Sequence, residues 1–140
     1  MILLDTSGLF AALVRNQSAH EAARAALEAV GPPYLLSPFV LAELDYFFAR
    51  EAGVGPELSF LGEVVSGAYD LVPFLGDDVA AAAGVIDRYR DLRIGLADAS
   101  IVVLAGRFQT ERVLTLDERH FRALRTPGGK PFTVLPADAW

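Results

Sequence analysis

Four carboxylates stand out against apolar surroundings in this chain. Asp5 directly follows Ile2-Leu3-Leu4, and Asp117 follows Arg112-Val113-Leu114-Thr115-Leu116. Glu43 interrupts Pro38-Phe39-Val40-Leu41-Ala42, and Asp98 leads Ala99-Ser100-Ile101-Val102-Val103-Leu104. Each also has an ordinary explanation. Asp5 and Asp117 are suited to cap a following helix. Asp98 fits the first turn of a helix, where the dipole favours an acid. Glu43 is the most informative alone, because its neighbours at helical spacing are Phe39, Val40, Tyr46 and Phe47. A charge on that apolar face costs several kcal/mol unless a metal, an arginine or a proton compensates. A buried structural ion pair is one such answer. Asp45 lies on another side of the same helix and reads as surface.

Taken together, the four acids point to one kind of chemistry. Carboxylates sharing a small pocket raise one another's pKa and need protons or a cation to coexist. The chain has no cysteine, and only His20 and His120 supply imidazole. Any metal must therefore be held mainly by oxygen, which selects a hard ion, Mg²⁺ or Mn²⁺. Such an ion would lower the pKa of an attacking water and neutralise charge growing on a phosphate.

The elements that must position these acids follow from pattern. Met1–Leu4 is expected as a short buried strand ending at Asp5, with helical character from Ser7 to Val14. Ser18-Ala19-His20-Glu21 has the form of a capping box opening a second helix. Tyr34–Leu36 suits a strand, and Ser37-Pro38 starts a helix through about Glu51, with proline tolerated in its first turn. Glu57–Val65 is expected to be helical and Tyr69–Phe74 a strand. A helix over Asp77–Leu92 has acids at its start and arginines near its end, as the dipole favours. Asp98–Phe108 forms a buried helix, Arg112–Leu116 a strand, Glu118–Leu124 a short helix and Pro131–Leu135 a last strand. Strands alternating with helices imply an α/β sandwich around a largely parallel sheet. Ligands of such sheets gather at the carboxyl ends of strands, where Asp5 and Asp117 stand.

Composition bounds the rest. At 140 residues, 53% apolar and 21% charged, the chain is expected to form one compact domain over 1–140. Gly31-Pro32-Pro33 and Thr126-Pro127-Gly128-Gly129 read as turns, not domain boundaries. No basic segment precedes the first apolar run, and no apolar stretch is long enough to span a bilayer, so a soluble cytoplasmic protein is expected. The net charge of −6 is unevenly spread. Residues 88–130 hold nine of the twelve basic residues and five acids, a net +4 against −10 elsewhere. That asymmetry suits a local phosphate-binding surface, with Arg90, Arg93, Arg119 and Arg122 as its candidates, or else scattered solvated arginines.

The motifs Ile2-Leu3-Leu4-Asp5-Thr6-Ser7, the Glu43 helix, Leu96-Ala97-Asp98-Ala99-Ser100 and Leu114-Thr115-Leu116-Asp117 resemble the four acidic motifs of PIN-domain nucleases. Their order and spacing, and the chain length, are similar to those of VapC-like toxins from bacterial toxin–antitoxin pairs. The resemblance covers almost the whole chain; its first and third motifs are the specific ones, and the fourth is the loosest. It implies a PIN-like α/β/α sandwich that cuts RNA with Mg²⁺ or Mn²⁺, leaving 5′-phosphate and 3′-hydroxyl ends. It implies Asp5, Glu43, Asp98 and Asp117 as catalytic metal ligands, a small antitoxin that blocks the site, and a homodimer. Thr6, Ser7 and Thr115 offer hydroxyls to water or phosphate, although capping and strand roles suit them equally.

Other readings need residues that are absent. A phosphoacceptor receiver domain needs an acidic pair after its first strand, but Leu4 precedes Asp5, and Phe74 stands where its acceptor aspartate belongs. A haloacid-dehalogenase-type phosphatase needs a second aspartate two residues on, where Ser7 stands. Dinucleotide, P-loop and nucleophile-elbow patterns do not occur. The rival from another class is a non-catalytic RNA- or protein-binding module on the same fold, which has no need of stacked negative charge.

Overall fold

The computed structural model describes residues 1–139. Its elements run β1 (Ile2–Leu4), α1 (Thr6–Leu13), α2 (His20–Val30), β2 (Tyr34–Leu36), α3 (Pro38–Glu51), α4 (Val54–Val65) and β3 (Asp70–Leu71). They continue with α5 (Gly76–Arg88), a 3₁₀ turn (Arg90–Leu92), α6 (Leu96–Phe108), β4 (Arg112–Leu114), α7 (Glu118–Ala123) and β5 (Thr133–Leu135).

The five strands form one sheet in the order β3-β2-β1-β4-β5, every neighbouring pair parallel. Ile2, Leu3 and Leu4 are all inaccessible. Successive strand residues point to opposite faces, so helices must cover the sheet on both sides. The expected α/β/α sandwich is thus observed. Helices α1 and α2 pack on each other, as do α5 and α6. Among the described residues, no helix is long and apolar enough to cross a membrane.

Two local devices set the geometry around the first aspartate. Gly8 is required by a close approach: a Cβ there would lie 2.3 Å from the Leu114 carbonyl oxygen. Helix α1 therefore rests directly on the end of β4. Ser37 caps α3 by accepting from the Phe39 amide at 3.2 Å, and its hydroxyl also meets that of Ser100 at 2.7 Å. Both serines are fully buried, so α3 and α6 are joined by a polar contact inside the core.

Several boundaries differ from expectation. Ser18 does not cap α2; the helix begins at His20, whose Nδ1 lies 2.9 Å from the Ala11 carbonyl. A contact to α1 fixes that start instead of a local box. Only Asp70 and Leu71 pair with β2, and Pro73, which lacks an amide hydrogen, follows one residue after Val72 bonds Leu36. The helix expected over Asp77–Leu92 stops at Arg88 and tightens into the 3₁₀ turn, closed by Arg93 in a left-handed conformation. At the other end of α5, the Asp78 carboxylate accepts from the Leu75 amide at 3.0 Å, as an acid in a first turn should.

Candidate active site

Strand order reverses direction at β1: the chain leaves it for β2 and β3 on one side and returns to β4 and β5 on the other. The crevice at the carboxyl ends of β1 and β4 is the switch point at which α/β sheets bind ligands. Asp5 leaves β1 there. Asp117 follows β4 by three residues.

Asp5 occupies the cap position of α1 but makes no side-chain capping bond. Its Oδ2 accepts from the Thr115 hydroxyl at 2.6 Å and from the Ser7 hydroxyl at 3.3 Å. It is only 5% exposed. Burial pushes its pKa up to about 7, and the nearby Asp98 and Glu43 charges add to the rise, against the opposing Thr115 hydroxyl and Thr6 amide.

Thr115 is 1% exposed and too deep to touch substrate. Besides donating to Asp5 it accepts from the Asp117 amide at 2.9 Å, so one hydroxyl links the two strand ends. Ser7 accepts from the Leu116 amide at 2.9 Å, which ties α1 to the chain beyond β4. Thr6 donates to Glu43 Oε1 at 2.6 Å, reaching across to α3.

Glu43 corrects one step of the sequence argument. The buried stripe of α3 is Val40, Leu44 and Phe48; Glu43 lies beside that stripe and is exposed. Phe39 and Phe47 are only partly buried, and Tyr46 is largely exposed. Its carboxylate therefore pays little desolvation cost, and the apolar spacing around it marks the edge of a cleft, not the core.

Asp98 stands in the first turn of α6, half-buried. Burial raises its pKa, and the charges of Asp117 and Glu43 add to the rise, opposed by His120. Asp117 caps α7 through Oδ1, which accepts from the His120 amide at 3.0 Å. Its other oxygen faces the same residue's ring: His120 Nδ1 lies 2.9 Å from Asp117 Oδ2 and 3.1 Å from Asp98 Oδ2. Ligand atoms of Asp98, Asp117 and His120 all fall within 4.8 Å of one another.

Sequence reasoning missed His120. In the sequence it stands out only as one of two imidazoles. Its spacing from Asp117, three residues on a helix, was the available signal, because that spacing puts both side chains on one face.

The resulting cleft of about 600 Å³ is lined by Asp5, Glu43, Asp98, Asp117 and His120, with Thr6 and Ser7 in its wall. Arg90, Arg93, Arg119 and Arg122 do not line it. Arg90 pairs with Asp87, and Arg122 is held by Asp138 at 2.7 Å and Glu118 at 3.0 Å. The arginine that does enter is Arg50, from outside the basic segment. It follows Glu43 and Phe47 at helical spacing on one face of α3.

A doubly wound parallel sheet with acids clustered at its switch point is the architecture of a PIN-like nuclease. The chain belongs to the PIN-domain family, in its VapC-like branch: residues 2–126 match the family's model, "PIN domain". It is 42% identical over 135 residues to Ribonuclease VapC26 of Mycobacterium tuberculosis (strain ATCC 25618 / H37Rv), covering 96% of this chain and all of that one. Among solved structures it shares its fold with M. tuberculosis VapC20, a Sarcin-Ricin loop cleaving toxin. The TM-score is 0.75 at 20% identity, over 84% of this chain and 90% of that one. A toxin–antitoxin complex from Klebsiella pneumoniae gives a TM-score of 0.69 at 20% identity, over 91% and 94% of the two chains.

Proposed function

We propose that this chain is an endoribonuclease that hydrolyses RNA phosphodiester bonds with Mg²⁺ or Mn²⁺, and that it is the toxin of a toxin–antitoxin pair. The observation that carries this reading is the convergence of Asp5, Glu43, Asp98, Asp117 and His120 on one cleft at the switch point. The donors fit a hard divalent ion. They are carboxylate oxygens with one imidazole, and Asp5 and Asp98 both have pKa values raised by burial and by neighbouring acids. A cation would relieve that strain.

In this reading Asp98, Asp117 and His120 hold the ion, and Asp5 and Glu43 complete the set. When bound, the ion polarises the phosphate and lowers the pKa of water. The chain's own residues supply the rest. Thr115 fixes Asp5 against the end of β4, and Thr6 aims the Glu43 carboxylate across the cleft. His120 Nδ1 lies within reach of both Asp98 and Asp117, so the three groups face one point between them. Thr6 and Ser7 line the wall where a phosphate would lie. Hydrolysis adds water across the phosphorus–oxygen bond, and the family's outcome is a 5′-phosphate and a 3′-hydroxyl.

The test is incubation of the purified chain with total RNA in Mg²⁺, Mn²⁺ or EDTA, followed by end sequencing. Discrete cuts that vanish in EDTA and in Asp98→Asn are expected. Intact RNA in Mn²⁺ with a folded chain would overturn the reading. A melting temperature unmoved by Mn²⁺ would favour an inert binding module, since a cation bound to the native state must stabilise it. VapC-like membership supports a small antitoxin that occupies the cleft, and a homodimer; co-expression and the mass of the free chain in solution test these two.

A further inference from the structure

We propose that Tyr46, Phe47 and Arg50 form a stacking platform on α3 that holds an unpaired base of the RNA beside the acidic cleft. The inference rests on the ribonuclease reading above. Phe47 and Arg50 line the cleft together with Glu43, one turn away on the same helix. The guanidinium of Arg50 lies over two rings at once, 5.1 Å from the Tyr46 centroid and 5.0 Å from that of Phe47. The two rings are 5.9 Å apart, and Phe47 leans in turn on Phe10, 5.9 Å away, which is part of the core. The platform is therefore braced from beneath.

Its outer side is open. Tyr46 is 59% exposed, so its ring keeps open area beside the Arg50 guanidinium. Arg50 donates from Nε to Glu51 at 2.8 Å, which orients the guanidinium.

Charge selects the occupant. The cleft is lined by five acids, Asp5, Glu43, Glu51, Asp98 and Asp117, and Arg50 is the one arginine or lysine in that lining. A polyanion entering this cleft meets a single fixed cation, and that cation is laid against aromatic faces. Aromatic rings and stacked guanidinium planes are how proteins hold the splayed bases of single-stranded RNA. A duplex, whose bases stack on each other, gives such a platform nothing to grip. The inference thus assigns the residues that seat the unpaired base beside the cut: Tyr46, Phe47 and Arg50.

Fluorescence anisotropy on the cleavage-deficient Asp98→Asn protein tests it. The probes are a labelled mixed-sequence single-stranded 12-mer, the same sequence as a duplex, and a 12-mer of abasic ribose phosphates. Tyr46→Ala should weaken binding of the single strand by about tenfold or more and leave the duplex and abasic probes unchanged, whereas Arg50→Ala should weaken the single strand as much and the other two probes by less, since it also removes a cation. Tyr46→Phe keeps the ring and should bind as the parent does. Arg50→Lys keeps the charge but loses the plane, and should fall between Arg50→Ala and the parent. Thermal melts should be unchanged, since both residues are exposed. Equal binding of the single strand by Tyr46→Ala and the parent would overturn the platform, as would equal losses on all three probes. If the platform alone fails, the unsubstituted chain still cuts RNA in Mg²⁺. If the chain cuts no RNA, the ribonuclease reading fails, and the platform with it.

Discussion

The residue that sets the electrostatics of the cleft is Asp5. In the unfolded chain it titrates near 3.8, whereas in the fold it titrates near 7. Between those values the unfolded chain has lost a proton that the folded chain keeps. The stability contributed by this group is therefore full below about pH 4 and declines as pH rises toward about 7. Urea melts in EDTA across that range should show the decline, amounting to a few kcal/mol, and Asp5→Asn should flatten it. Mn²⁺ added above pH 7 should restore much of the loss. At the chemical centre, Asp98→Asn keeps shape but removes a charge, so cleavage should disappear while the melting temperature holds or rises; full activity would remove Asp98 from the ligand set. His120→Gln should cost both metal affinity and rate, read as a raised Mn²⁺ midpoint in the same cleavage assay.

Elements position these residues through two contacts that hydrophobic pattern does not reveal. Gly8→Ala would drive a methyl group into the Leu114 carbonyl. Overpacking typically costs about 1–3 kcal/mol, and backbone yields less readily than a side chain, so the upper end or more is expected from chemical denaturation. Ser100→Ala removes the partner of the buried Ser37 hydroxyl and should cost about 1–3 kcal/mol, with a loss of cleavage because α3 carries Glu43. The strands themselves were legible in sequence. Ile2–Leu4 and Val113–Leu114 are runs with no polar alternation, which suits strands of a sheet covered on both faces. Asp5 is legible because it ends such a run; Asp117 stands three residues beyond β4, after Thr115 and Leu116. Glu43 lines the cleft from an exposed position that was not legible, because helical spacing cannot tell a buried face from the half-buried margin next to it. His120 and Arg50 were missed because their roles are set by neighbours distant in the chain: Asp98 lies 22 residues before His120, and the cleft that Arg50 enters exists only once α1 and α7 are in place.

Across the whole molecule, charge is distributed differently from a reading by segment. The surplus of arginine over residues 88–130 is partly spent on internal pairs, Arg90 with Asp87 and Arg122 with Asp138 and Glu118. Arg93 and Arg119 make no ion pair among the described residues and are exposed. Replacing both with Gln should lower the salt slope of RNA binding by about one, measured by filter binding of Asp98→Asn protein. Arg122→Gln should instead reduce the melting temperature and leave the slope nearly unchanged. The strand order has a consequence of another kind. Because β1 sits at the centre while its neighbour β4 comes late in the chain, Asp5 and Glu43 are synthesised long before Asp98, Asp117 and His120. A half-made chain emerging from a ribosome carries two isolated acids and no cleft. The cleft, which needs side chains from both ends of the sequence, therefore forms only once the chain has been made past His120.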